Sequence, residues 1–250
     1  MKLYHELAEY YFAIENNHRD ITQDASFIAG LLGGRRGASL LDLGCGTGEH
    51  LGLLAKAGLR CTGIDVSEEM ILTARRRFPE GIEFIRSDMK DISFTNAFDM
   101  VICLFGSFNY LIFDAEIDEM LGRIRASMIP GGIGVMEIWN SPPIRKIREK
   151  DISPVSVTDV HGASISRERG FKMRDDTGRT VVEVTYRYTI DEAGARKTVR
   201  DRHVMRTFTT AEITRFLDDA GFTVKNIYAN FKAEPYEENS SRMVVVFGRK

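Results

Sequence analysis

Residues 40–50 read LLDLGCGTGEH. A short apolar run holding one acid, Asp42, leads into three glycines at 44, 46 and 48. The run has the texture of a buried strand, and GEHLGLLAKAG after it has helical spacing and closes at Gly58. Glycine at such a junction permits positive φ, lets backbone approach a ligand and lets the helix pack close. Several classes of nucleotide-bearing ligand are bound at turns of this kind, so the glycines alone leave the ligand open. The spacing is G-x-G-x-G, which departs from the G-x-G-x-x-G that seats a pyrophosphate on a helix N-terminus.

Outward from this unit, strands and helices alternate. LRCTGIDV predicts a second strand, and Ser67 caps the helix EEMILTARRRF, whose end is marked by Pro79. IEFIRSD and FDMVICLF predict a third and fourth strand. AEIDEMLGRIRASMI predicts a helix that stops at the turn PGG (130–132), and IGVMEIWN a fifth strand. Apolar strands separated by helices of this length predict a parallel sheet covered on both faces. With right-handed crossovers the expected class is α/β, a doubly wound Rossmann-like, mostly parallel sheet of seven strands. Upstream, residues 1–32 carry apolar positions at helical spacing and end at Gly33-Gly34.

Downstream of Asn140 the texture changes. In TVVEVTYRYTI, Val182, Val184, Tyr186, Tyr188 and Ile190 share one face, the period-2 signature of a half-buried antiparallel strand. DEAGA (191–195) predicts a turn and KTVRDRHVMRTF the return strand. Residues 141–208 are therefore expected to be an antiparallel insertion after strand 5, lying over one edge of the sheet. Thr209 and Glu212 have capping-box spacing before TAEITRFLDDAG. GFTVKNIYAN and SRMVVVFG supply the last two strands, so residues 1–250 form one domain with an insert.

Three strand ends carry groups that discriminate between ligands. Asp42, inside the first strand, would repel a pyrophosphate and attract the ammonium of a methionyl moiety. Asp65 follows Gly44 by 21 residues, the distance for a carboxylate that accepts both ribose hydroxyls. Asp88 suits the adenine amino group, with Met89 against the ring. Together LLDLGCGTGEH, GIDVSEEM, SDMKD and PGG before a strand resemble the successive motifs of class I S-adenosylmethionine-dependent methyltransferases. The resemblance covers residues 39–140 and extends to the last two strands. It implies S-adenosyl-L-methionine as cofactor, held by Asp42, Gly44, Gly46, Gly48, Asp65, Val66, Met70, Asp88, Met89 and Leu104. Residues 1–32 would be a helical lid, with Tyr4 and Tyr11 closing over the methionyl end.

Composition narrows the partners. The chain is 43% hydrophobic and 28% charged with a net charge of -2, which exerts no general pull toward nucleic acid or membrane. No apolar run approaches the ~20 residues that span a bilayer, and MKLYHELAEYYF lacks the zones of a signal peptide. Three cysteines without metal spacing point to reduced thiols, no metal site and a cytoplasmic protein.

The acceptor site should come from the N-terminal helices, the loop LFGSFNYL (104–111) and the insertion. The loop lacks the N/D-P-P-Y/F pattern of nucleobase-amine methylation. Between 141 and 208, fifteen Lys and Arg face ten Asp and Glu, a surplus of +5, which suits either a solvated sheet face or an anionic acceptor. HGASISRERG, TVVEVTYRYTI, DRHVMRTFTTAEI, FGSFNYL and MEIW resemble the dTDP-amino-sugar N,N-dimethyltransferases. That resemblance implies an acceptor amine on a nucleotide diphosphate, with the insertion as substrate-binding subdomain. Tyr110, Glu137, Trp139, Arg167 and Arg206 would border the acceptor, and His203, His161 and Tyr110 are the candidate catalytic groups. The N-terminal segment is longer than the family's between Tyr4 and Asp20. Small-molecule O-methylation, nucleic-acid methylation and non-catalytic cofactor binding are the competing readings, and a homodimer is left open.

Overall fold

The computed structural model describes every residue except 17, 18 and 177, and excludes the side chains of 175 and 176. A 3-10 turn at Lys2–Tyr4 is followed by α1 (Tyr11–Asn16) and α2 (Ile21–Leu31). The Rossmann-like half then runs β1 (Ser39–Leu43), α3 (Glu49–Lys56), β2 (Arg60–Asp65), α4 (Glu68–Arg77), β3 (Ile82–Arg86) and β4 (Phe98–Cys103). It continues with α5 (Asp114–Ser127) and β5 (Met128–Trp139). The insertion comprises α6 (Ser141–Ile147), β6 (Glu149–Val160), β7 (Ala163–Asp176), β8 (Arg179–Glu192) and β9 (Ala195–Thr207). The chain closes with α7 (Thr210–Asp219), β10 (Phe222–Tyr228) and β11 (Arg242–Arg249).

Seven strands form one sheet in the order β10-β11-β5-β4-β1-β2-β3. Every pair is parallel except those made by β11, which runs antiparallel to both β10 and β5. The expected α/β class is what the chain adopts. Alternate residues divide between two cores. Leu41, Leu43, Val101, Cys103, Val245 and Phe247 pack with α5 and α7 on one face. Leu40, Met100, Ile102, Val244 and Val246 pack with α2, α3 and α4 on the other. Strands buried on both sides are predominantly apolar, which is why β1, β4 and β11 read as apolar runs broken only by single polar residues such as Asp42 and Asp99.

Local signals place the helix starts. Ser67 Oγ accepts the Met70 N–H at 3.3 Å, and Asp20 Oδ1 accepts from Thr22 N and Gln23 N. Thr209 and Glu212 make the reciprocal capping box. No described helix is long and apolar enough to cross a membrane.

Four expectations are corrected. The helical reading of 1–32, two of whose positions (17 and 18) lie outside the described residues, fails over residues 5–10, which are turns. Ser67 Oγ donates to the Tyr4 carbonyl at 2.5 Å and Asp201 takes the Leu3 N–H, so tertiary partners replace helical ones there. The turn PGG does not separate α5 from the fifth strand. β5 begins at Met128, and pairing jumps from Phe98–Met128 to Met100–Ile133, so residues 129–132 bulge out with Gly131 at φ 76°. Helix α6 was missed, although Pro142 and Pro143 stand in its first turn, where proline is tolerated. Finally, the insertion does not lie over a sheet edge. It leaves β5, an interior strand, and returns where Phe208 bridges Asn140. A chain leaving an interior strand can only continue past the sheet's carboxyl end. There β6-β7-β8-β9 form a second, antiparallel sheet. Its inner face packs Val182, Val184 and Tyr188 against Leu3, Leu7 and Ile14.

Candidate active site

The carboxyl ends of β1, β2 and β3 open onto a cleft with an empty volume of about 880 Å³, its solvent mouth included. The glycine turn forms its floor. Gly44 N and Cys45 N both donate to the Ile64 carbonyl, at 2.8 and 2.9 Å, tying the turn to the end of β2. Gly44 has φ 78°, and a Cβ there would stand 2.5 Å from Ser107 Oγ. A side chain at this position is excluded both by conformation and by space.

Asp65 lines the cleft and organises it. Its Oδ2 accepts the Gly46 N–H and its Oδ1 the Ser67 N–H, each at 2.9 Å. Burial raises the carboxyl above its ordinary value, and the two N–H donors oppose part of that rise. Each oxygen keeps a second lone pair, so a ribose diol can still donate. Asp88, Met89 and the exposed Val66 border the same cleft, with Asp88 Oδ1 accepting the Lys90 N–H at 2.9 Å. Tyr4 and Tyr11 close it from the N-terminal side.

Asp42 and Leu104 line a smaller adjoining pocket that shares Gly44 and Gly46 with the cleft. Asp42 is 3% exposed, and its Oδ1 has no hydrogen-bond partner among the described residues. Burial first, then repulsion from Asp65, push its carboxyl up to about 8. An unpartnered buried carboxylate is costly, and a cation placed beside it removes that cost. This orphaned acid fits the ammonium end of S-adenosylmethionine, as Asp65 fits its ribose.

Besides Asp42 and Leu104, which line the adjoining pocket, two residues expected at the cofactor border neither space. Gly48 caps α3 at φ 85°, and a Cβ there would meet the Phe84 ring at 2.8 Å, so its role is close helix packing. Met70 is 1% exposed inside α4, turned into the fold beneath the Ser67 cap.

A second cavity, of about 1410 Å³ with its open side, lies between the insertion, the N-terminal segment and the end of β5. Tyr4, Tyr11, Phe105 and Tyr110 line both cavities, so the two meet across four aromatic rings. Trp139, Glu137, Arg167 and Arg169 line the second cavity. Glu137 is 3% exposed and accepts from Arg19 at 2.7 Å, Arg242 at 2.6 Å and the Phe105 N–H at 3.0 Å. Burial alone would raise its carboxyl, but the charges and hydrogen bonds of Arg19 and Arg242 together hold it below the ordinary value. Arg19 also pairs with Asp24 and lies 3.7 Å from the Phe105 ring centroid. Arg167 is 5% exposed, pairs with Glu15 at 3.1 Å and lies over Tyr186. The Arg169 guanidinium has no partner among the described residues.

The remaining candidates separate. Arg206 borders neither cavity. It pairs with Asp114 at 2.6 Å, donates to the Ile112 carbonyl and lies over Phe208 and Phe216, tying β9 to the helical layer. His161 is exposed in the β6–β7 hairpin turn at φ 52° and does not line the cavity, which those strands meet through Val155, Arg167, Arg169 and Phe171. A tight hairpin demands such a conformation, and the residue is a turn residue rather than a base. His203 is 2% exposed and lies one layer behind Tyr110, whose hydroxyl is 2.5 Å from its Nδ1.

Sequence reasoning missed Arg19, Phe105 and Arg242, which meet Glu137 from distant segments, and Asp24, which meets Arg19; none leaves a local signal. Asp201 was legible: it precedes His203 by two residues in a strand, which places both on one face.

The model of the methyltransferase domain family matches residues 40–132. The dTDP-3-amino-3,6-dideoxy-alpha-D-glucopyranose N,N-dimethyltransferase of Streptomyces fradiae is 29% identical over 88% of this chain and 85% of its own length. The crystal structure of Streptomyces venezuelae DesVI is 26% identical, with a TM-score of 0.75 over 93% of each chain. An S-adenosylmethionine-dependent methyltransferase of Clostridium acetobutylicum shares the fold at a TM-score of 0.83 and 17% identity over 98% of each chain. On these likenesses the chain carries a methyltransferase domain on the fold of the S-adenosylmethionine-dependent methyltransferases, and it is an enzyme that takes S-adenosyl-L-methionine as its methyl donor.

Proposed function

We propose that the chain methylates the amino nitrogen of a small anionic acceptor, of the class in which a sugar amine is carried on a nucleotide diphosphate. The observation that carries this reading is the second cavity. It is lined by Arg19, Arg167, Arg169 and Arg242 against Glu15 and Glu137, and it joins the cofactor cleft at four rings. Guanidinium groups pair with phosphate bidentately, and the rings offer faces to a base or a sugar. The named activity of the Streptomyces fradiae relative supports the same acceptor class. On this reading residues 1–32 act as a lid and residues 141–208 as the substrate-binding subdomain. The three free cysteines suit a reducing cytoplasm.

When bound, S-adenosylmethionine supplies an activated methyl group for in-line displacement. The chain's own residues bind, orient and exclude water. Asp65 and Asp88 hold the nucleoside end, and Asp42 the amino-acid end. Tyr4, Tyr11, Phe105 and Tyr110 wall the passage between the cavities. Arg169, unpartnered among the described residues, is the cation free to take an anionic handle.

A panel of a nucleotide-linked amino sugar, the free amino sugar and a hydroxyl analogue, scored by mass and by the site of the new methyl, tests the reading. The nucleotide-linked amine should be preferred. Arg169→Ala should raise its KM about tenfold, ~1.4 kcal/mol, and leave the free sugar unaffected. Methylation of the hydroxyl analogue alone, or of no member, would sink it.

Asp42 carries a separate expectation. At about pH 7 its carboxyl is mostly protonated, and a ligand ammonium beside it favours the ionised form. Binding of S-adenosylhomocysteine should therefore release most of one proton. Calorimetry in buffers of different ionisation enthalpy reads this directly, and Asp42→Asn should abolish it.

A further inference from the structure

Behind the four shared rings, a run of hydrogen bonds leads into the insertion. Asp201 and His203 stand on the inner face of β9, 7% and 2% exposed. Asp201 Oδ2 accepts the Leu3 N–H at 2.8 Å and lies 3.0 Å from His203 Nε2, while Oδ1 accepts the Arg202 N–H at 2.9 Å. Burial favours the neutral acid, but His203 and the backbone donors outweigh it and hold the carboxyl well below its ordinary range. An ionised carboxylate only accepts, so Nε2 carries the imidazole proton and Nδ1 presents a lone pair. Tyr110 must then donate to Nδ1, and its oxygen accepts from the Tyr4 hydroxyl at 2.9 Å. One fixed charge thereby orients every proton in the run, which ends at the Tyr4 oxygen where the cavities meet.

We propose that Tyr4, Tyr110, His203 and Asp201 form a proton relay that takes the proton a bound ammonium acceptor must lose before its nitrogen has a lone pair to methylate. The acceptor N–H bond breaks and its electron pair stays on nitrogen. The proton passes to the Tyr4 oxygen, the Tyr4 proton to the Tyr110 oxygen, and the Tyr110 proton to His203 Nδ1. The resulting imidazolium is held against the Asp201 carboxylate, and no electrons leave the system. Tyr4 is the catalytic residue that touches the acceptor; the other three act through it. The groups facing the imidazole are few. Tyr4, Tyr110 and Tyr186 surround it at ring-centroid distances of 5.5, 5.9 and 5.1 Å, and Asp201 is the charge in contact. Arg167 lies over the Tyr186 ring and is itself paired with Glu15. Because Leu3 and Tyr4 both belong to the N-terminal segment, the relay exists only while that segment is docked on β9.

The relay rests on the amine reading above, and two measurements separate the failure of one from the failure of the other. In protein labelled with 15N-histidine, with His203→Asn identifying the signals, His203 should appear as the Nε2–H tautomer. The Nδ1–H tautomer would overturn the relay whatever the acceptor. Single-turnover methylation by Tyr110→Phe, which keeps the ring and breaks the run, should fall on the order of a hundredfold at about pH 6.5. It should return to within about threefold of wild type above the acceptor's own pKa, where the amine binds already neutral. His203→Gln should show the same pH-dependent loss. An equal loss at both pH values, or none at either, would overturn the relay and leave the amine reading intact.

Discussion

Asp65→Ala should lower the affinity for S-adenosylhomocysteine about a hundredfold, ~2.7 kcal/mol, in calorimetric titration. The carboxylate accepts from Gly46 N and Ser67 N, so its removal frees the glycine turn and the start of α4 together. Hydrogen bonds to a charged group are worth ~1.5–3 kcal/mol each, and the diol contacts of the ligand are lost as well. Part of the loss is moderated because burial already disfavours the ionised acid. Asp65→Asn should fall between the two, since the amide retains one acceptor and turns its NH2 toward a backbone donor. Undiminished affinity in the alanine variant would mean that the strand-end carboxylate does not hold the cofactor.

The second large effect is on stability. Glu137→Ala should cost about 3–5 kcal/mol in urea unfolding, because a buried ion pair broken on one side leaves an uncompensated charge. Arg19 would keep only Asp24, and the Phe105 N–H would lose its acceptor. For a chain of this size each kcal/mol moves Tm by ~2–4 °C, so the melt should fall by about 10 °C. The pH dependence has a definite sign. Glu137 is depressed in the folded state below its ordinary value of 4.5. Its contribution is therefore complete above that value and is lost as pH falls through the lower, folded value. Urea midpoints should drop on acidification in the wild type, and Glu137→Gln should lack that part of the drop. Equal acid limbs in both proteins would show that Glu137 is not the titrating group.

The two predictions lie on opposite sides of what local pattern can express. Asp65 stands at a set distance from Gly44, at the end of an apolar strand and just ahead of a capped helix, and each of those signals spans only a few residues. Glu137 is visible in sequence only as an acid in a strand. Its partners Arg19 and Arg242 are separated from it by more than a hundred residues on either side. The same contrast divides the histidines. His161 and His203 look equivalent in an alternating segment, yet one occupies a hairpin turn and the other the buried face of β9. Arg167 and Arg206 are likewise two arginines in one sheet, on β7 and β9 with β8 between them. One borders the second cavity, and the other is committed to Asp114 and two phenylalanines.

By itself the sequence determined the layered α/β architecture, the strand-end acids and the methyl donor. Hydrophobic period, glycine spacing and helix caps are short-range, and the right-handed crossover leaves few ways to assemble them. The tertiary structure alone decided where the insertion stands, which of its charges face the second cavity, and that Asp201, His203, Tyr110 and Tyr4 join in one run. The reason is physical. An interior strand must release its insertion past the sheet's end, and buried charges and hydroxyls settle on whichever partners the docked surfaces bring within hydrogen-bond reach.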